Sequence, residues 1–199
     1  MSAGEERIWE TLAVLDPGEV CRRTDASYDT VLGLYTVESF AMDFSVAPKE
    51  KKLLSMSPGG EVFLQKLGYF FRLSVTGYLT LSKNVALAGG MVSPLNMKSG
   101  QLFFRGSHVL PLDRMAEKYA EDKEAFLKRG LELGGERLGY GDVSLRLLPL
   151  PRVPVVQILW VRDDEFPARA ELLFDSSCEL QMPIDVIWAV AMLSVLAMS

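Results

Sequence analysis

Apolar and polar positions follow two different periods along this chain, and each change of period marks a new element. Over residues 5–15 the apolar side chains Ile8, Trp9, Leu12 and Leu15 fall at helical spacing, which predicts an amphipathic helix stopped by Asp16-Pro17-Gly18. Residues 19–24 predict a short second helix. Then the period drops to two: Met42, Phe44 and Val46 alternate with Asp43 and Ser45, and with residues 34–37 ahead of them they predict a β-hairpin. Beyond Ser57-Pro58-Gly59-Gly60 the helical spacing returns in Val62, Phe63, Leu67, Phe70, Phe71, Val75, Tyr78 and Leu79. Their broad apolar face predicts a mostly buried helix over 61–82, with Gly68 and Gly77 marking close packing or a break.

Residues 85–110 carry the weakest pattern. Gly89-Gly90, Pro94 and Ser99-Gly100 punctuate them, and 101–104 and 108–110 read as short strands. Residues 111–133 predict the clearest helix, with Pro111 at its first position, Met115, Tyr119, Phe126 and Leu127 on its apolar side, and Gly134-Gly135 at its end. Residues 141–188 are the stretch around which the chain is organised. Val143, Leu145 and Leu147 alternate with Ser144 and Arg146 as a strand, and Pro149, Pro151 and Pro154 predict an extended connection. The nearly continuous apolar run 155–161 suits a central strand covered on both faces. Asp163-Asp164-Glu165 turns the chain, 168–174 supplies another strand, and Pro183 leads into a terminal helix with Trp188 on its apolar face. The sum is one α+β domain over residues 1–199, a mainly antiparallel sheet with packed helices.

Composition narrows the chemistry. The 199 residues are 49% apolar, enough for the core of a single domain. A net charge of −5, from 21 basic and 26 acidic residues, gives a nucleic-acid backbone little to grip, and Lys49 to Lys52 reads as a solvated turn. Glu5 and Glu6 stand where a signal peptide would carry apolar residues, and the apolar run 184–198 contains Asp185 and is shorter than the ~20 residues of a membrane span. A cytoplasmic protein without nucleic-acid or membrane partners is therefore expected. Two cysteines, Cys21 and Cys178, and one histidine, His108, are too few for a four-ligand zinc or iron–sulfur site from this chain alone. The thiols are expected to be reduced, and neither a GxGxxG nor a phosphate-loop motif is present.

The candidate chemistry sits at corners. Asp142, Asp164, Glu165, Asp175 and Asp185 are polar residues in an otherwise packing stretch, and carboxylates converging at strand ends could hold a hard cation or act as an acid/base pair. Asp142 and Asp175 are the metal-ligand candidates, although both also suit turns, and Asp185 suits a helix N-terminus. Arg152, between Pro151 and Pro154, is the best anchor for an anionic ligand. His108 could be an axial ligand, a general base or a structural residue. A binding module would be suited by an apolar groove lined by Phe70, Phe71, Tyr78 and Trp160, with His108 or a methionine nearby.

The runs GDVSLRLLPLPRVP (141–154), DDEFPA (163–168), LLFDSS (172–177) and MPIDVIW (182–188), with the Gly134-Gly135 helix end, resemble a domain-of-unknown-function family found mostly in anaerobic bacteria and archaea. The resemblance covers most of the chain and implies no reaction. Some members of that family are joined to a small cysteine-rich domain like the iron–sulfur module of corrinoid and carbon-monoxide-dehydrogenase systems, which this chain lacks. The resemblance implies a non-catalytic binding module that holds a cofactor, of unknown identity, or docks on a redox or corrinoid partner. Arg152, His108, Trp160, Asp164 and Glu165 are its expected ligand contacts. The alternative is a small carboxylate- or metal-dependent enzyme using the acidic corners.

Overall fold

A reciprocal cap starts the first helix: Ser2 Oγ accepts from the Glu5 N–H at 3.3 Å, and the Glu5 carboxylate accepts from the Ser2 N–H at 2.7 Å. It opens α1 (Ala3–Val14) in this computed structural model, whose described residues are 2–199. Asp16 caps α2 (Pro17–Thr24) in the same way, through the Glu19 N–H at 2.8 Å.

The predicted hairpin is the centre of a larger antiparallel sheet made of β1 (Ser27–Asp29), β2 (Leu34–Ser39), β3 (Met42–Ala47) and β4 (Lys52–Ser55). The outer strands are three and four residues long, too short to show a period. Phe40 and Ala41 turn β2 into β3 with φ of 51° and 56°, a geometry in which both turn residues ordinarily need glycine or asparagine. Tertiary contacts hold it: the Phe40 N–H donates to the Leu148 carbonyl at 2.9 Å, and the Phe40 ring packs against Phe63.

The long helix is α3 (Pro58–Leu81), and neither glycine breaks it. Gly77 lets it approach the terminal helix, because a Cβ there would lie 2.7 Å from Val186 Cγ2. Residues 82–111 then wander over the surface, with a two-residue β5 (Met91–Val92), 3₁₀ turns at 94–96 and 106–108, and α4 (Gly100–Phe103). The two short strands expected at 101–104 and 108–110 are thus helical turns, closed by bonds such as Phe104 N–H to Gly100 O. The helix expected over 111–133 is two, α5 (Leu112–Lys118) and α6 (Lys123–Glu132). Its interruption is tertiary. Tyr119 donates its hydroxyl to the Met198 carbonyl, the Ala120 carbonyl accepts from the Arg162 N–H at 2.8 Å, and Asp122 caps α6 through the Ala125 N–H. Gly134 follows with φ of +71° and faces Ala41, so the helix end meets the β2–β3 turn at a distance that a side chain would not allow.

The second sheet contains β6 (Glu136–Leu138), β7 (Val143–Leu150), β8 (Val153–Trp160) and β9 (Arg169–Asp175), in the order β5-β9-β8-β7-β6 and antiparallel throughout. β8 lies at its centre and is buried from Val153 to Leu159, as its apolar run predicts. The prolines do not make an extended connection. Leu150 pairs with Val153, so β7 and β8 form a tight hairpin with a register shift between Leu147 and Leu150. That bulge frees the Leu148 and Pro149 carbonyls to accept from the Phe40 N–H and the Ser39 hydroxyl, which ties the two sheets together. A short α7 (Cys178–Gln181) leads to α8 (Ile184–Met198), which is buried almost all round. It packs on α3 and meets β8 where Gln157 Nε2 donates to the Ser194 carbonyl at 2.8 Å. The protein is α+β, one compact domain with two antiparallel sheets, and no helix among the described residues is long and apolar enough to cross a membrane.

Candidate ligand-binding groove

The acidic corners do not converge. Asp142 Oδ2 accepts from the Val161 N–H at 2.8 Å, at the end of β8 where Trp160 pairs with Arg169. Asp175 lies beyond the opposite end, next to the pairing of Val155 with Phe174. Roughly 20 Å of strand separates them at ~3.3 Å per residue. The expected metal pair Asp142 and Asp175 is thereby corrected: no group of three metal-ligating side chains forms among the described residues. Asp164 and Glu165 are exposed on the β8–β9 turn, which Asp163 organises by accepting from the Glu165 and Phe166 N–H groups. Asp185 accepts from the Val186 N–H at the start of α8.

Asp175 is spent on structure. Its Oδ1 accepts from the Ala88 N–H at 2.9 Å, the Ser177 N–H at 2.9 Å and the Ser177 hydroxyl, and Oδ2 accepts from the Gly89 N–H at 2.7 Å. Burial pushes its carboxyl up, but the bonds from Ser177, Ala88 and Gly89 outweigh it and hold the group below its ordinary value. Arg152 is likewise engaged. Its Nη1 donates to the Arg23 carbonyl at 3.1 Å and to Asn84 Oδ1 at 2.7 Å, and its Nη2 donates to the Val85 carbonyl at 2.7 Å. The guanidinium fork therefore stitches the end of α2 to the segment after α3, and its donors face protein acceptors rather than an incoming anion.

The aromatic residues divide in two. Phe71 and Tyr78 are fully buried, Phe71 against Phe44 at 4.4 Å and Tyr78 with its hydroxyl on the Thr24 carbonyl at 2.8 Å. Trp160 lies at the far end of β8 under the Arg169 guanidinium, 4.1 Å above its ring. Phe70 does join His108, through Trp188. The His108 ring stacks on Phe103 at 4.6 Å and meets the edge of Trp188 at 4.9 Å, and Trp188 Nε1 donates to the His108 carbonyl at 3.0 Å. Phe70 packs on the other side of Trp188 at 5.8 Å. His108 is half-buried in this cluster, which supports the chain just before Val109 and Leu110.

Beside that cluster runs a groove of about 620 Å³, within the range of ligand sites. One wall is β9 from Arg169 to Leu173, and the other is made of Met91 to Asn96, Phe104, Val109, Leu110 and Leu112. Its chemistry is apolar with one charged pair, Arg169 and Glu171, whose Nη1 and Oε1 lie 4.0 Å apart. Met91, Leu95 and Val109 are 42%, 50% and 59% exposed at its rim. Of the expected ligand contacts only Trp160 comes near it, through Arg169, and His108 backs it. Residues 85–110 lack a period, so sequence reasoning missed the groove; the available signal was apolar side chains kept in a segment that has no core face.

No curated protein and no solved structure matches the chain. A protein-family model described as a domain of unknown function, DUF3786, matches residues 16–197.

Proposed function

This chain belongs to the DUF3786 family, domains of unknown function, and we propose that it is a non-catalytic binding module that docks a partner protein in the groove beside β9. One observation carries the reading: apolar side chains concentrate on the surface segment that walls the groove. Leu87, Met91, Leu95, Leu102 and Val109 are between 42% and 84% exposed, and they follow one another within the stretch that leaves the sheet. Such patches on a soluble domain mark interaction sites. Leu87 and Leu102 lie outside the groove's lining, so exposed apolar side chains continue along the same segment beyond the groove. The carboxylate-enzyme alternative has no comparable support, because its acids cap turns and helices at separate ends of the sheet. The resemblance to a family of anaerobes makes a redox or corrinoid protein the partner class to try first.

Site-specific photocrosslinking in the native host tests the reading. A benzophenone amino acid in place of Leu95 or Val109 is expected to trap a partner, while the same group at Val31, exposed on the turn before β2, traps none. Equal trapping at all three positions, or none at any, refutes a specific docking face.

A further inference from the structure

We propose that the cavity between α2 and the end of α3 is a second binding site, separate from the groove beside β9, and that it takes the phosphate group of a small molecule. The cavity holds about 370 Å³ and shares no lining residue with the groove. Arg23 lines it, although the residue is only 8% exposed. Its guanidinium closes the end of α3, with Nη1 donating to the Ser82 carbonyl at 2.7 Å and Nη2 donating to the Leu79 and Thr80 carbonyls at 2.7 and 3.2 Å. Among the described residues its Nε–H has no acceptor and no carboxylate lies within ion-pair distance of it. A cation buried in this way is stabilised by a counter-charge.

Two hydroxyls of the same cavity are left over. Thr80 Oγ1 and Ser82 Oγ are buried without a partner among the described residues, and Ser82 is only 3% exposed. Buried polar groups are ordinarily bonded, so a pair of orphans on one cavity needs a cause. Thr80 does not take the local option: Thr11, Thr24, Thr76 and Ser194 each donate to the carbonyl four residues earlier in their helices. A hydroxyl that gives up no bond turns about χ1 at little cost, and an anion in the cavity supplies the acceptor that both residues lack. Charge sets the class of anion. Arg22 and Lys83, both exposed and neither in an ion pair among the described residues, line the cavity with Arg23, against the single carboxylate of Glu19. Arg152 donates to the Arg23 carbonyl and so offsets the terminus of α2. The terminus of α3 adds about half a negative charge, which leaves an excess of roughly one and a half positive charges. A tetrahedral dianion matches that excess and accepts from several directions, whereas a carboxylate carries one charge in one plane. The volume holds a small phosphorylated molecule whole.

The probe is glycerol phosphate, titrated into the full chain at fixed ionic strength with acetate and chloride as controls, and followed by calorimetry and amide NMR shifts. Saturable binding at millimolar concentration is expected, with the shifts concentrated at residues 22–23 and 80–84 and with acetate weaker. Thr80→Val keeps the shape of the side chain and removes only an unpartnered hydroxyl. Without ligand its thermal midpoint should equal or exceed that of the wild type, while glycerol phosphate binds roughly tenfold more weakly. The double variant Arg22→Gln/Lys83→Gln changes exposed side chains, keeps the fold by circular dichroism, and weakens binding by roughly tenfold or more. No saturable binding of glycerol phosphate, acetate binding as tightly, or affinity unchanged in both variants overturns the proposal. A lowered midpoint in ligand-free Thr80→Val overturns it as well, by showing that the hydroxyl already has a structural partner. Tighter binding of a phosphoserine peptide than of glycerol phosphate overturns the small-molecule assignment. Crosslinks from Leu95 and Val109 bear only on the docking reading, because the two sites share no residue.

Discussion

Asp175→Ala is the substitution that most directly joins stability to the groove. Asp175 is 4% exposed yet charged, and it accepts four hydrogen bonds: two from Ala88 and Gly89 pin that segment to the end of β9 immediately before Met91 enters the sheet, and two come from Ser177. A bond to a charged acceptor contributes about 1.5–3 kcal/mol when its donor is left buried. Ala88 and Gly89 are exposed and regain water after the substitution, whereas Ser177 is buried and does not. The expected loss is therefore about 3 kcal/mol, well under the sum of four such bonds. Urea unfolding at pH 7 measures it, and amide exchange at residues 88–92 shows where the loss is felt. A loss under about 1 kcal/mol, with exchange there unchanged, refutes the reasoning. The pH dependence has a definite sign. Because the folded carboxyl titrates below its ordinary value of 3.8, the charge contributes its full stability above that value, and the contribution fades as pH falls through the folded pKa. The gap between the wild type and Asp175→Asn should thus be constant around neutrality and narrow only below about pH 4. Millimolar magnesium or calcium should leave the thermal midpoint unchanged, since the carboxylate oxygens already hold donors.

Two further substitutions or treatments probe the core. Gly77→Ala adds a methyl 2.7 Å from Val186 Cγ2, and overpacking of this kind should cost about 1–2 kcal/mol after the gain in helix propensity, read from the thermal midpoint. Val186→Ala in the same chain should recover part of that cost, and a Gly77→Ala protein as stable as the wild type would place the helices further apart than described. The Cys178 thiol is pushed up to about 12 by burial first and by the nearby Glu179 charge second. Iodoacetamide at pH 8 should accordingly leave it unmodified in the folded protein and label it in urea, by peptide mass spectrometry. Labelling of folded protein at the rate of a free thiol contradicts that burial.

Much of the framework is legible in residue order alone, because its signals are local. Apolar side chains three and four apart require the buried faces of α1 and α3, alternation requires β3 and β7, and a nearly continuous apolar run leaves β8 only the centre of a sheet. The carboxylates are legible as residue types but not as a site, since turn-capping and cation-holding aspartates look the same until their neighbours are known. Asp142 and Asp175 resolve into caps once the antiparallel register puts them at opposite ends of β8. The β2–β3 turn, the split between α5 and α6 and the proline hairpin were hidden for a related reason. The turn holds positive φ at Phe40 and Ala41 because Leu148 and Phe63 grip Phe40 and Gly134 packs against Ala41, and α6 starts anew because Tyr119 and Ala120 bond to α8 and to Arg162. Those partners are distant in sequence, so no window along the chain contains both halves of the interaction. The groove is the extreme case: residue order supplied its apolar side chains, and only the early end of β5 beside β9 gathered them around a cavity.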